Sequence, residues 1–97
     1  MEKTKTNDFF SEILVPCRVA RRGLNLGQQL NIITEEVGEV SKALRNNEKR
    51  YRVGEELGDV IFACITALDM LGFDAAGRAD VLHRVYEKNL KRGYIEE

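Results

Sequence analysis

Apolar side chains recur at alternating intervals of three and four residues across most of the chain, and that period dictates helix. Leu30, Ile33, Val37, Val40 and Leu44 follow one such run, which winds into a single stripe at about 100° per residue. A second run, richer still, takes in Val53, Leu57, Val60, Ile61, Cys64, Ala67, Leu68 and Leu71. Between them lies "NNEK" (46–49), a turn. No stretch alternates polar and apolar residues as a half-buried strand does, and no Asn-Gly pair marks a hairpin. With one proline in 97 residues, the fold class expected is all-α, a four-helix bundle-like protomer.

Local signals divide the chain further. Asn7 or Asp8 caps a first helix through Phe9, Phe10, Ile13 and Leu14, which Pro16 should kink or split. "RRGLNLGQ" (21–28) is a break, with Gly23 and Gly27 as stop signals. Helix two is expected from about Gln28 to Arg45, with the Leu30–Leu44 stripe as its buried seam. Helix three should run from about Arg50 to Leu71, where Gly72 stops it. Asp74 caps helix four, which carries Leu82, Val85 and Leu90 and stops near Gly93.

Composition excludes several classes of function. Hydrophobic residues are 43% and charged residues 32% of the chain, a globular rather than a disordered balance. Fifteen basic against sixteen acidic residues give a net charge of −1, so no basic field favours nucleic acid or a membrane surface. The longest uncharged run, "VIFACITAL" (60–68), is far too short for a membrane span, and "MEKTKTNDFF" has no apolar leader core. These features predict a soluble, cytoplasmic protein. Cys17 and Cys64 lack metal-site spacing and sit in apolar contexts, which predicts reduced core thiols.

The chemistry lies in two acidic clusters. "TEEVGEV" (34–40) holds Glu35, Glu36 and Glu39, and "EELGDV" (55–60) holds Glu55, Glu56 and Asp59. Residues three apart on a helix project from nearly the same side, so Glu36/Glu39 and Glu56/Asp59 are stacked pairs. Glu56 and Asp59 share their side of helix three with Ala63, Ala67 and Met70, where a carboxylate needs compensation. A short turn makes helices two and three an antiparallel hairpin. The two pairs then converge, and converging carboxylates raise one another's pKa or hold a cation. All-oxygen ligation selects Mg²⁺ or Mn²⁺.

Each cluster alone reads more readily as a solvated face partnered by Lys42, Arg45, Arg50 or Arg52; two facing copies reverse that preference. A di-iron bundle site wants Glu-x-x-His on two helices. The single histidine, His83, lies in neither cluster and reads as a helix-surface residue.

Glu35-Glu36-x-x-Glu39 followed by Glu56-x-x-Asp59 resembles the paired acidic signature of the MazG-like, all-α nucleoside triphosphate pyrophosphohydrolases, which include dCTP pyrophosphatases and dimeric dUTPases. "EKNLKRGY" (87–94) resembles the basic segment these proteins carry on the following helix. The resemblance implies one domain over 1–97, with 1–27 a variable N-terminal helix and loop and 28–94 the catalytic helices. It implies Mg²⁺-dependent cleavage of a (d)NTP between the α- and β-phosphates, in the service of nucleotide-pool house-cleaning. By motif position, Glu36, Glu39, Glu56 and Asp59 are the metal ligands, and Glu35 and Glu55 position water around them. Lys88, Lys91 and Arg92, with Asn89, contact the phosphates, and Arg52 assists.

A carboxylate beside the attacking water accepts its proton, a role for Glu35 or Glu39. Base recognition has no motif: Gln28, Gln29 and Asn31 either bind a base edge or are simply solvated. Helix three is too apolar for one protomer to cover, which predicts a homodimer or homotetramer. The rival readings are a non-catalytic helical interaction module and a nucleotide-binding regulator without turnover.

Overall fold

The computed structural model describes residues 9–20 and 22–96. Among them every regular element is helical: a short π-helical segment, Phe9–Leu14, and three α-helices, α1 (Leu26–Arg45), α2 (Arg50–Met70) and α3 (Ala75–Lys91). Four helices and no strand agree with the all-α expectation. The chain divides into two compact units, residues 19–72 and residues 1–18 with 73–97.

Unit 19–72 is a helical hairpin. Asn25 opens α1 with a reciprocal cap, its side chain accepting from the Gln28 amide (2.8 Å) while the Gln28 side chain accepts from the Asn25 amide (2.9 Å). Gly27 therefore sits in the first turn of α1 rather than stopping a preceding helix. A satisfied cap determines where the helix begins, and one glycine costs it little. Helix α2 starts at Arg50 as expected, and Gly72 in a left-handed conformation (φ 96°) closes its end.

The hairpin's seam differs from the one read from the sequence. Gln29 and Ala43 are buried and Glu36, midway between them, is half-buried. Seven-residue steps keep all three on nearly one line of the helix. Across from them α2 presents Glu56 and Ala63. Gln29 Nε2 donates to the Ala63 carbonyl at 3.0 Å, and Glu36 meets Glu56 and Asp59 nearer the turn, so the helices run antiparallel. Leu30, Val37 and Leu44 stand one residue on, about 100° round the helix, and remain 51, 49 and 60% exposed. Small side chains let the two backbones approach, so the larger residues face outward.

Unit 1–18 with 73–97 is organised around a buried arginine. The π-helical segment closes with Val15 N–H donating to the Phe10 carbonyl at 2.9 Å and ends before Pro16. Proline disfavours helix at the residue it follows, so it terminates this element rather than kinking a longer one. The expected caps Asn7 and Asp8 lie outside the described residues. Arg78, 4% exposed, donates Nε to the Val15 carbonyl (2.8 Å), Nη1 to that of Phe73 (2.8 Å) and Nη2 to that of Cys17 (3.3 Å). One guanidinium thus ties the segment after the π-helix to the start of α3. Asp74 caps α3 as expected, accepting from Gly77 N–H at 2.8 Å. His83 is exposed, 3.5 Å from Glu87. Both cysteines are free thiols, but Cys17 is only half-buried and Cys64 is exposed. The expected core placement of Cys64 fails because the hairpin covers only one stripe of α2.

Candidate metal centre and adjoining cavity

Three carboxylates converge on the hairpin seam. Glu36 comes from α1, and Glu56 and Asp59 from successive turns of α2. One ligand oxygen from each lies within 4.8 Å of the others. Glu36 and Glu56 are half-buried and Asp59 is exposed. The Glu36 carboxyl is held above its usual range, first by loss of hydration and then by the charges of Asp59, Glu56, Glu39 and Glu35. Both effects oppose ionisation, and a cation among the three oxygens would reverse them.

Part of the charge is already countered from within α2. Arg52 donates Nη1 to Glu55 (2.8 Å) and Nη2 to Glu56 (2.9 Å), and Nε lies 3.5 Å from Glu48. The guanidinium is about half exposed, so solvent screens these pairs. One screened cation shared among three acids leaves Glu36 and Asp59 without neutralisation from Arg52. A compact all-oxygen donor set of this kind suits a hard divalent ion completed by waters or substrate oxygens.

Not every expected site residue joins the group. Glu39 is exposed and outside the three-oxygen cluster; from Glu36 it stands about 60° round the helix and acts on it through charge alone. Glu35 is likewise exposed, while Glu55 is engaged by Arg52. Lys88, Asn89 and Lys91 form the last turn of α3, and Arg92 is its C-cap. The three cationic residues are exposed and Asn89 is half-buried.

A cavity of about 340 Å³ opens beside the acids. Glu36 and Asp59 belong to its lining, which continues along α2 through Phe62, Ala63, Thr66, Asp69 and Met70. Gln29 and Ile32 of α1 and residues 19, 20 and 22–24 of the preceding loop complete it. The α2 contribution was readable in principle: Phe62, Thr66, Asp69 and Met70 continue the helical period that begins at Glu56 and Asp59. Of the three base-edge candidates, Gln29 lines the cavity, Gln28 is engaged in the helix cap, and Asn31 is exposed.

Residues 26–93 match the family described as the MazG nucleotide pyrophosphohydrolase domain. The chain belongs to the MazG family. The matched span contains both acidic clusters, Arg52 and the basic residues 88–92. No curated protein and no solved structure matches the chain. Family membership implies a nucleotide substrate, and the three carboxylates that could hold a metal ion lie within the matched span.

Glu36 supplies a pH test. Its folded-state pKa is raised, so its ionisation destabilises the metal-free fold above the raised value and has no such effect below the ordinary carboxylate range. Glu36→Gln should therefore raise the melting temperature in chelator at neutral pH, and the gain should vanish below about pH 4. A gain independent of pH, or a loss at neutral pH, would contradict the convergence of charge described here.

Proposed function

We propose that this MazG domain is a Mg²⁺-dependent nucleoside triphosphate pyrophosphohydrolase that cleaves (d)NTPs between the α- and β-phosphates and serves nucleotide-pool house-cleaning. The observation that carries the reading is the meeting of Glu36, Glu56 and Asp59 at one point of the hairpin, inside the family match. Those three, with Glu39 nearby, are the residues to hold Mg²⁺ or Mn²⁺. When bound, the ion offsets charge between carboxylates and triphosphate and polarises the reacting phosphorus.

The chain's own residues supply the rest. Glu35 or Glu39 accepts a proton from water as its oxygen bonds to the α-phosphorus. The bond from that phosphorus to the α–β bridging oxygen breaks, and its electron pair leaves with pyrophosphate. Glu55 positions water beside the cluster. Arg52 keeps Glu55 and Glu56 oriented and, were Glu56 to hold the ion, would have a guanidinium edge to offer phosphate oxygens. Lys88, Lys91 and Arg92, with Asn89, are proposed to bind the departing phosphates, whose charge is best met by cationic donors.

Incubation with Mg²⁺ and a panel of NTPs and dNTPs should release pyrophosphate and a nucleoside monophosphate, with no orthophosphate. Glu56→Gln should lower the rate about 10²-fold or more, the scale of losing a metal-site residue. Pyrophosphate from none of the nucleotides would leave the interaction-module or regulator reading in its place.

We also propose a homodimer or homotetramer. Leu30, Val37 and Leu44 line one open face of α1, and Leu57 and Ile61 of α2 and its C-cap Leu71 remain about half exposed. Apolar surface of this extent marks an interface. Light scattering should give a mass of two or four chains, and Val37→Lys should lower it; a wild-type monomer at micromolar concentration would contradict the assembly.

A further inference from the structure

The cavity beside the acids has a polarity that bears on which base it accepts. Gln29 is 4% exposed and lines it. Its Nε2 donates to the Ala63 carbonyl, which fixes the amide orientation and leaves Oε1 with both lone pairs. Thr66, one further turn along α2, gives its hydroxyl proton to the Phe62 carbonyl at 3.1 Å, so Oγ1 too has acceptor capacity left. Asp69 places a carboxylate on the same wall. Among the described residues of the lining, Arg22 is exposed and lies on the loop. Ile32, Phe62 and Met70 supply apolar surface for a ring.

Position along the helix sets the orientation of an occupant. Asp59 and Thr66 are seven residues apart on α2, about 10 Å along its axis. A nucleotide whose phosphates meet the acid cluster at Glu36 and Asp59 therefore carries its base toward Thr66 and Gln29. The cavity's volume falls within the range of small-molecule sites, about 300–1,000 Å³.

We propose that this cavity is the base pocket and that Gln29 and Thr66 make it select amino-bearing bases over their carbonyl counterparts. An exocyclic amine brings two N–H donors on one atom, as in cytosine and adenine, where uracil and hypoxanthine place a carbonyl oxygen. Against Gln29 Oε1 and Thr66 Oγ1 the amine is satisfied, whereas the carbonyl sets acceptor against acceptor and leaves a buried group unpaired. The inference rests on the pyrophosphohydrolase reading for the placement of the phosphates.

Two matched pairs test it, dCTP against dUTP and ATP against ITP, because each pair differs only at the base edge. Binding of the non-hydrolysable α,β-imido analogues is measured by calorimetry with Mg²⁺, and turnover is measured separately with the natural nucleotides. The amino-bearing member of each pair should bind about ten-fold more tightly or better. Thr66→Val, which leaves the Gln29 bond to Ala63 in place, should reduce that ratio several-fold, and Thr66→Ser should retain it. Gln29→Leu should abolish it in protein that still melts cooperatively.

Equal affinity within both pairs, a preference for the carbonyl member, or no binding of either would overturn the proposal. So would a ratio unchanged in Thr66→Val. Preferential binding without pyrophosphate release would sustain the pocket and overturn the catalytic reading. Turnover without preference would do the reverse.

Discussion

The close approach of two helices along a line of small and polar side chains carries the candidate site. Gln29, Glu36 and Ala43 occupy that line on α1, with Ala63 of α2 against Gln29 and Glu56 against Glu36. Alanine at 43 and 63 brings the backbones together, and the Gln29–Ala63 hydrogen bond fixes the register at one end. In that register Glu36 has no position other than beside Glu56 and Asp59. Carboxylates held half out of water next to one another are unfavourable without a positive partner. The structure accepts that cost at one place and offsets it in part through Arg52. A divalent ion among the three oxygens would offset the rest.

The same seam explains why large apolar residues stay outside. A stripe made of Leu30, Val37 and Leu44 would hold the helices further apart and bury no acid. With the narrow stripe inside, the wide one is left on the surface, where another chain can cover it. The acid cluster and the exposed apolar face are therefore linked through one choice of register, since the side chains that bring the carboxylates together also leave the leucines outward. The cavity borders the same seam, for Gln29 and Ala63, bonded to one another, both line it.

Much of this was legible in the sequence. The apolar period gave helices α1 and α2 to within two residues, Gly72 the end of α2, Asp74 and Gly93 the limits of α3, and the paired acidic motifs the convergence of Glu36, Glu56 and Asp59. The seam was misread by one residue because hydrophobicity was taken as the sign of burial. In a tight helix pair size counts as much, and alanine with a hydrogen-bonded glutamine can occupy the inside. Glu39 was grouped with Glu36 by spacing and by motif position; its offset of about 60° leaves it exposed, outside the three-oxygen cluster. Arg78 had no sequence signal, since its role depends on carbonyls at Val15 and Cys17, more than sixty residues earlier. Phe62, Thr66 and Asp69 had one, the continuation of the Glu56–Asp59 period, but it points to a cavity only where loop residues 19, 20 and 22–24 complete the lining.

The central claim is that Glu36, Glu56 and Asp59 hold a divalent ion. Crystals grown with Mn²⁺ and measured for its anomalous signal would test this most directly. The account predicts a peak bounded by carboxylate oxygens of all three residues, with Arg52 withdrawn from Glu56. A peak elsewhere, or Arg52 still bonded to Glu56 and no peak among the three acids at saturating Mn²⁺, would contradict it.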